Sequence, residues 1–169
     1  MHIRPADKND IPGLLKIINA AYRGEASRKG WTTEADFIKG DIRTDEEDLD
    51  NLLTAPGNLI LKYCNDSNKI EGCVFLQLRF DGMYFGMLSV NPELQARGIG
   101  RQLMQAAETI AKQRKCTRMY MRVISGRTEL IGWYKRLGYH PTGETQPFPE
   151  GRFGIPNKPL EFIVMEKIF

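Results

Sequence analysis

The residues best suited to chemistry lie where a predicted strand meets a predicted helix, in the stretch 90–101. It reads VNPELQARGIGR, and its two glycines, Gly98 and Gly100, directly precede a helical pattern. Backbone N–H groups at a helix start point outward and carry the positive end of the helix dipole, so they attract an anion. Glycine lets a ligand approach that backbone closely, and the side chains of Arg97 and Arg101 add positive charge at the rim. The stretch therefore predicts a turn that binds phosphate or pyrophosphate, with a plain strand-to-helix turn as the alternative.

Two familiar phosphate-binding loops do not match this stretch. A Walker loop needs Gly-Lys-Ser/Thr, whereas Gly100 is followed by Arg101 and Gln102. A Rossmann fingerprint needs a third small residue where Leu103 stands, and usually an acidic residue about 20 positions later. The predicted turn therefore belongs to neither of these nucleotide-binding classes.

The composition is that of an ordinary soluble globular protein. Of the 169 residues, 41% are hydrophobic and 27% are charged, and the formal net charge is +3. The longest mainly apolar run, 83–91, is too short to span a bilayer, and the first residues contain no secretory signal. We therefore expect a single domain over 1–169, with no membrane segment and no nucleic-acid partner. The slight basic excess leaves nucleic-acid binding as a minor alternative, because the basic residues are not interleaved with stacking aromatics.

Cysteine and histidine usage argues against disulfides and metal sites. Cys64, Cys73 and Cys116 are an odd number of cysteines without CxxC spacing. We expect buried thiols in a reducing compartment, and hence a cytoplasmic protein. The two histidines, His2 and His140, are too few for a three-histidine metal site, so no metal is expected.

Hydrophobic periodicity divides the chain into elements in the order β-α-α-β-β-β-α-β-α-β-β. Strands are predicted at 2–5, 59–64, 70–80, 83–90, 118–124, from 139 onward and at 160–168. Helices are predicted at 10–22, briefly after Thr33, from Thr44 to the Pro-Gly pair at 56–57, at 101–115 and at 128–137. This order indicates an α/β (α+β) fold with a mixed, mostly antiparallel sheet of about seven strands and helices on both faces.

Two segments carry more detailed expectations. The strand 83–90 is nearly continuous in apolar residues, so we expect it at the centre of the sheet, in a meander with 59–64 and 70–80. Thr44 opens a T-D-E-E run that is typical of a capping box, which predicts a helix start there.

Two motifs carry a resemblance to a known family. The pattern Gln95-x-x-Gly98-x-Gly100, after a strand that ends in LSV at 88–90, resembles the acetyl-CoA signature of the GNAT N-acetyltransferase superfamily. The run WYKRLGY at 133–139 resembles the helix that carries the catalytic tyrosine in that family. The order of elements is also similar to the GNAT order, so the resemblance covers the whole chain.

The resemblance implies a fold, a cosubstrate and residue roles. It implies a splay between strands 83–90 and 118–124 that admits the pantetheine arm of acetyl-CoA, with backbone groups of Leu88 and Val90 pairing with that arm. The implied cofactor-binding residues are Leu88, Ser89, Val90, Gln95, Arg97, Gly98, Ile99, Gly100 and Arg101. Of these, the N–H groups from Arg97 to Arg101 would hold the pyrophosphate.

Tyr134 is the implied catalytic residue. A thiolate that leaves in a dry cleft needs a nearby O–H donor, and the resemblance gives this role to the Tyr134 hydroxyl. The alternative is an ordinary core aromatic, for which we expect the neighbouring Trp133 to be better suited.

The sequence departs from the family at two positions. Relatives often carry a general-base carboxylate on the strand that corresponds to 83–90, whereas this strand has none and Glu93 lies beyond it. Many relatives also have an asparagine about seven residues before the tyrosine, where this chain has Arg127, with Ser125 as a possible substitute.

The missing base leaves the proton route open. By position, Glu25, Glu34 and Glu144 are the candidates, and each is expected to be a surface residue. We therefore predict a water relay that has no single essential carboxylate.

The predicted function is acetyl transfer from acetyl-CoA to a primary amine of a small molecule or peptide, by direct attack in a ternary complex. The alternative is a GNAT-fold sensor or scaffold that binds CoA without catalysis. Residues 31–34 are expected to border the acceptor pocket. Acidic residues between Asp41 and Asp50 either attract a cationic amine or form a solvated helix face. The Pro/Gly-rich loop 146–159 is a pocket cover, a contact in a possible homodimer or a plain connector.

Overall fold

The computed structural model describes residues 2–23, 27–39, 43–148, 155–156 and 160–169. The strands are β1 (Ile3–Pro5), β2 (Ile38–Lys39), β3 (Asn58–Cys64), β4 (Ile70–Arg79), β5 (Gly82–Val90), β6 (Arg118–Ile124), β7 (His140–Pro147), β8 (Ile155–Pro156) and β9 (Glu161–Ile168). The helices are α1 (Ile11–Tyr22), α2 (Glu46–Thr54), α3 (Ile99–Gln113) and α4 (Thr128–Arg136), with short 3-10 turns at Lys8–Asp10 and Pro92–Leu94.

Seven of these strands form one sheet in the order β1-β3-β4-β5-β6-β9-β7. All neighbouring pairs are antiparallel except β5 and β6, which are parallel. The predicted mixed sheet and its β3-β4-β5 meander are confirmed, and β5 lies at its centre because both of its faces are covered.

Helices cover both faces of this sheet. α3 and α4 pack on one face around a core that includes Leu103 and Leu130. α1 and α2 pack on the other face around a second core that includes Leu14 and Leu49. Among the described residues, no helix has the length and apolar character needed to span a bilayer.

The parallel neighbours β5 and β6 separate along their length. They pair at Met83 with Met119 and at Tyr84 with Tyr120, near the start of each strand. Beyond these pairs β5 stays with β4 and β6 stays with β9. The gap between them is the predicted splay, and backbone groups along its edges are free of ladder hydrogen bonds across it.

The prediction of a short helix after Thr33 is wrong. Residues 35–37 form a turn, closed by the N–H of Ile38, which donates to the carbonyl of Glu34 at 2.9 Å. The chain then extends into β2, where Ile38 pairs with Pro156 of β8 and is 1% exposed. Burial of Ile38 in this two-stranded sheet stabilises the extended chain in place of a helix.

The helix start expected at Thr44 lies one residue later. Oδ1 of Asp45 accepts from the N–H of Asp48 at 2.8 Å, so Asp45 is the N-cap. The Thr44 hydroxyl instead donates to Oδ2 of Asp48 at 2.6 Å. A carboxylate at the cap also meets the positive end of the helix dipole, which explains the preference for aspartate.

The three cysteines are free thiols, as expected. Cys64 and Cys73 are buried in the strands and Cys116 is half-buried. Burial raises the pKa of the Cys73 thiol to about 12, so this thiol is protonated at neutral pH and is not a nucleophile.

Several sequence expectations lie outside the described residues. They concern the candidate base Glu25, the acidic residue Asp41 and most of the loop 146–159. The described start of that loop belongs to β7, which continues to Pro147.

Candidate active site

The turn before α3 has the geometry of an anion site. Gly98 caps the helix with a φ of 85°, and a side chain added at this position would have no atom within 4 Å. The N–H of Gln102 donates to the carbonyl of Gly98 at 3.0 Å. The N–H groups of Ile99, Gly100 and Arg101 precede this bond and have no partner within the helix. The helix start therefore presents several amide donors below an open space at Gly98.

The side chain of Gln95 holds in place the segment that leads into this turn. Its Nε2 donates to the carbonyl of Val90 at 3.2 Å and to Oγ1 of Thr32 at 2.6 Å. Its Oε1 accepts from the N–H of Trp31 at 2.8 Å. A Cβ atom on Gly30 would lie 2.2 Å from the same oxygen, which explains the glycine there. Gln95 therefore joins the end of β5 to the segment that follows α1.

A second amide and carboxylate pair supports the same loop. Nδ2 of Asn91 donates to Oε2 of Glu71 at 2.8 Å, and Oδ1 of Asn91 accepts from the N–H of Glu93 at 3.1 Å. The N–H of Asn91 donates to the carbonyl of Glu71 at 2.8 Å. These bonds fix the path of the chain from β5 into the 3-10 turn, and so the position of the anion site.

A β-bulge lies in β5 beside the splay. The register changes between the pair Cys73–Ser89 and the pair Phe75–Gly86, and Met87 has a φ of 50°. The carbonyl of Met87 accepts from the Ser89 hydroxyl at 2.8 Å. A bulge adds local twist and bends the strand, and such bends occur next to active sites.

Tyr22 reaches the residue that follows the bulge. The Tyr22 hydroxyl donates to the carbonyl of Leu88. Burial raises the pKa of Tyr22, so the hydroxyl remains a donor at neutral pH. This role was not predicted from the sequence. The available signal is a tyrosine at the end of an apolar helix face, since a buried O–H needs a partner.

Tyr134 is buried in an aromatic cluster. The residue is 6% exposed, and its ring packs on those of Phe85 and Tyr139 at 5.9 Å and 6.1 Å between centroids. None of the described residues forms a hydrogen bond with its hydroxyl. Burial is the main cause that raises the pKa of Tyr134, so the phenol is protonated at neutral pH and above.

The expectation that Trp133 is the better core residue is wrong. Trp133 is half-buried, and its ring lies 6.0 Å from that of Trp31 and 3.6 Å from the position of a Cβ on Gly100. On α4, Tyr134 follows Leu130 by one helical turn and shares its buried face. Trp133 is turned from this face toward the start of α3.

Two cavities meet around Tyr134. The smaller, of about 80 Å³, lies beside the start of α3. The larger, of about 670 Å³, lies over the sheet face that holds Tyr84 and Tyr120. Both cavities are lined by the same side chains at their junction: Tyr22, Leu88, Leu130 and Tyr134.

The structure brings together part of the predicted cofactor set. Leu88, Val90, Gln95, Gly98 and Gly100 line the smaller cavity, together with Tyr134. Ser89 and Ile99 are buried beside it, and the Arg97 and Arg101 side chains are exposed at its rim. The residues missed on this side are Trp31 and Thr32, which Gln95 holds in place.

Arg127 does not face the smaller cavity. It lines the larger cavity, donates to the carbonyl of Thr32, and its Nη1 lies 3.5 Å from Oε2 of Glu34. Oε1 of Glu34 lies 3.3 Å from Nε of Arg23. Ser125 is half-buried and its N–H donates to the carbonyl of Glu161 at 3.0 Å. Arg127 thus ties β6 to the segment after α1.

Glu34 is a buried ion-pair partner, so the prediction that it lies on the surface is wrong. It is 8% exposed and lies between the buried Arg23 and Arg127. Glu144 is exposed, as expected. The reason for the burial of Glu34 is that two arginines from different elements need one shared counter-charge.

We expect Glu34→Gln to lower the stability of the fold. The substitution removes the carboxylate that Arg23 and Arg127 share in a buried position, which costs about 3 kcal/mol in the free energy of unfolding. Urea unfolding of both proteins at pH 7 measures the difference. The exposed pair of Lys8 and Asp50, 3.2 Å apart, supplies the control Asp50→Asn, which should cost less than about 1 kcal/mol. Equal losses in the two variants would contradict the assigned role of Glu34.

Comparison with known sequences decides the family. The profile of the Acetyltransferase (GNAT) family matches residues 14–139. The chain belongs to the GNAT family. The matched part includes the turn at Gly98 and the helix of Tyr134. The protein is therefore a member of an acetyltransferase family, whose cosubstrate is acetyl-CoA.

Solved acetyltransferase structures share the fold over nearly the whole chain. The ribosomal-protein-alanine N-acetyltransferase from Brucella melitensis is 21% identical, with a TM-score of 0.74, and each chain is covered over 100% of its length. YncA from Salmonella typhimurium, solved with its cofactor acetyl-CoA, is 20% identical, with a TM-score of 0.70 over 98% of this chain and 92% of YncA. The ribosomal-protein-S18-alanine N-acetyltransferase from Escherichia coli is 14% identical, with a TM-score of 0.73 over 98% and 92%.

One protein is also similar in sequence. The uncharacterized protein YdhI from Bacillus subtilis is 29% identical over 75 residues, which are 44% of this chain and 46% of YdhI. The chain thus matches less than half the length of this relative.

Proposed function

We propose that this GNAT acetyltransferase is an N-acetyltransferase that acts on a primary amine of a small molecule or peptide in a ternary complex. The observation that carries the proposal is the Tyr134 side chain, which lines both cavities and whose hydroxyl has no partner among the described residues. A protonated donor at this junction suits a reaction in which a thiolate leaves on one side and an amine arrives from the other.

The smaller cavity and the splay fit acetyl-CoA. Acetyl-CoA supplies the acetyl group as a thioester whose leaving group is a thiolate. We assign the pyrophosphate to the N–H groups of Ile99, Gly100 and Arg101, where the open space at Gly98 leaves room for an anion. The edge of β5 at Val90 would hold the pantetheine arm. The carbonyl of Leu88 already accepts from Tyr22, so Leu88 would contribute its N–H.

Tyr134 is the proposed general acid. Its hydroxyl would give a proton to the leaving sulfur, and the raised pKa keeps that proton in place until the sulfur takes it. The hydrophobic surroundings of the ring exclude water, which strengthens the interaction of the O–H with a developing negative charge.

The larger cavity is the proposed entrance for the acceptor. It opens at the junction residues on the side away from the start of α3, and its volume of about 670 Å³ suits a small molecule or the end of a peptide. Glu34 is held by two arginines, and Glu144 is exposed on β7. This arrangement supports a relay through water to solvent as the route by which the amine loses its proton.

The relay predicts a specific pH dependence. A primary alkylamine has a pKa of about 10, so the neutral fraction, and with it kcat/KM, should rise through about pH 8 to 9. The raised pKa of Tyr134 means that its acid form persists over this range, so no falling limb is expected there. Glu144→Gln should keep most of the activity at each pH. Loss of turnover in Glu144→Gln with both substrates still bound would make Glu144 the base.

Thiol release with a panel of amines tests the proposed function. The protein is incubated with acetyl-CoA and amines, free CoA is measured, and the product is identified by mass as an amide. Formation of an amide at the rate of thiol release supports N-acetyl transfer. Binding of acetyl-CoA without any amide product would contradict it and leave a CoA-binding module.

A further inference from the structure

The wall of the larger cavity carries more positive than negative charge. Six arginines and four acidic residues line it. The arginines are Arg23, Arg43, Arg79, Arg118, Arg122 and Arg127, and the acidic residues are Glu34, Asp48, Asp81 and Glu144. Whether this charge is available to a ligand depends on which of these groups neutralise one another.

Most of the acidic groups are engaged within the protein. Glu34 pairs with Arg23 and Arg127, as described above. Asp81 accepts from the Tyr120 hydroxyl at 2.9 Å and lies 3.8 Å from Arg118, which also pairs with Glu166 at 2.6 Å. Oδ2 of Asp48 accepts from the hydroxyl of Thr44, and the Asp48 N–H donates to Oδ1 of Asp45 at the start of α2. The exposed Glu144 accepts from Nε2 of Gln146 at 3.3 Å.

Arg43 and Arg122 form no ion pair with a carboxylate of the described residues. The guanidinium carbon of Arg43 lies 6.0 Å from the ring centroid of Tyr22, and that of Arg122 lies 4.6 Å from that of Phe162. An aromatic ring holds a guanidinium by its face and leaves N–H groups at the edge free for a carboxylate or phosphate. These two arginines therefore have charge and donors that no carboxylate among the described residues uses.

Both arginines lie close to the reacting end of the cavity. Arg122 is two residues beyond Tyr120, the last position at which β6 pairs with β5, so it stands where the splay begins. Arg43 rests on Tyr22, one of the residues shared by the two cavities. Arg79 lies further along the same face, over the ring of Tyr84 at 4.3 Å.

We propose that the acceptor amine carries an oxyanion, a carboxylate or a phosphate, which Arg122 and Arg43 bind while the amine reaches the junction at Tyr134. This inference rests on the proposed function and narrows its substrate class. It also assigns the exposed Glu46 and Glu47 of α2 to a solvated helix face, because the cavity wall repels a cationic acceptor. The bond that forms is between the amine nitrogen and the acetyl carbon, and the bond that breaks is the thioester C–S bond.

Matched amines test the inference. The carboxylate set is 4-aminobutanoate, butylamine and 1,4-diaminobutane, which share a four-carbon chain and differ in the charge at its end. The phosphate set is O-phosphoethanolamine and ethanolamine. We expect kcat/KM for an anionic member to exceed that of its neutral counterpart by about 10- to 100-fold, with 1,4-diaminobutane lowest. The set with the larger ratio identifies the oxyanion.

Variants of Arg122 test whether this residue causes the preference for anionic amines. Arg122→Gln should remove most of the preference through a higher KM for the anionic amines, and Arg122→Glu should reverse it in favour of 1,4-diaminobutane. Arg114→Gln is the matched control, because Arg114 is exposed at the end of α3, outside both cavities. Its preference ratio should equal that of the unchanged protein.

Direct binding separates this inference from the proposed function. 4-Aminobutanoate, O-phosphoethanolamine and butylamine are titrated by calorimetry into the protein with CoA bound. One outcome is that no amine is acetylated, but an anionic amine binds more tightly than butylamine and this difference depends on Arg122. This outcome would support the oxyanion site and contradict N-acetyl transfer. If amines are acetylated without preference for an anion, or with a preference that Arg122→Glu leaves unchanged, the oxyanion inference is wrong and N-acetyl transfer stands. If neither turnover nor binding favours an anionic amine, the oxyanion inference is overturned.

Discussion

Gly98→Asp should abolish binding of acetyl-CoA. The new side chain enters the open space at the start of α3, where no atom lies within 4 Å of its Cβ, and places a carboxylate where the pyrophosphate must approach the backbone. Loss of charge-assisted hydrogen bonds together with like-charge repulsion should weaken binding by at least about 100-fold. Calorimetry with acetyl-CoA on the folded variant measures this effect.

Two control variants separate charge from backbone strain. Gly98→Asn has nearly the same shape without the charge, and asparagine tolerates a positive φ, so it should bind acetyl-CoA more tightly than Gly98→Asp. Gly143 in β7 has a φ of 90°, close to the 85° of Gly98. A Cβ added at Gly143 would likewise have no atom within 4 Å. Gly143→Asp should therefore have a similar cost in stability and leave acetyl-CoA affinity unchanged. Unchanged affinity in Gly98→Asp would remove the pyrophosphate from this turn.

Tyr134→Phe should lower kcat by about 100-fold or more, with little change in the affinity for acetyl-CoA. The substitution keeps the ring in its aromatic cluster and removes only the proton donor, whose loss costs a factor of this size when no other acid replaces it. Steady-state kinetics with acetyl-CoA and a good acceptor measure kcat, and calorimetry measures the affinity.

Tyr139→Phe is the matched control for this effect. Tyr139 is 2% exposed and belongs to the same aromatic cluster, but its hydroxyl donates to Oε1 of Glu108 at 3.1 Å and it lines neither cavity. Its replacement should lower the free energy of unfolding and leave kcat within a few-fold of the unchanged protein. A Tyr134→Phe variant that retains full turnover would make Tyr134 a packing residue and require another acid.

Local patterns were sufficient for the seven-stranded sheet and for the turn at Gly98. The order of strands and helices follows from hydrophobic periodicity, and the central place of β5 follows from its apolar run, because these signals depend on neighbouring residues alone. Gly98 is recognisable for the same reason: a glycine between a buried strand and a helix marks a backbone that must take a positive φ. The position of Tyr134 came from its resemblance to the GNAT motif.

Tertiary structure alone decided how the two sides of the site are joined. Tyr22 meets Leu88 across 66 residues of sequence, and Arg127 meets Thr32 across 95. A single sequence contains no local signal for such contacts, so Glu34 was expected on the surface and Trp133 in the core. Burial of each was set by packing: two arginines from distant elements enclose Glu34, whereas α4 turns Tyr134 inward. That Arg122 has no carboxylate partner among the described residues likewise became visible only in the structure, because charge balance is a property of neighbours in space.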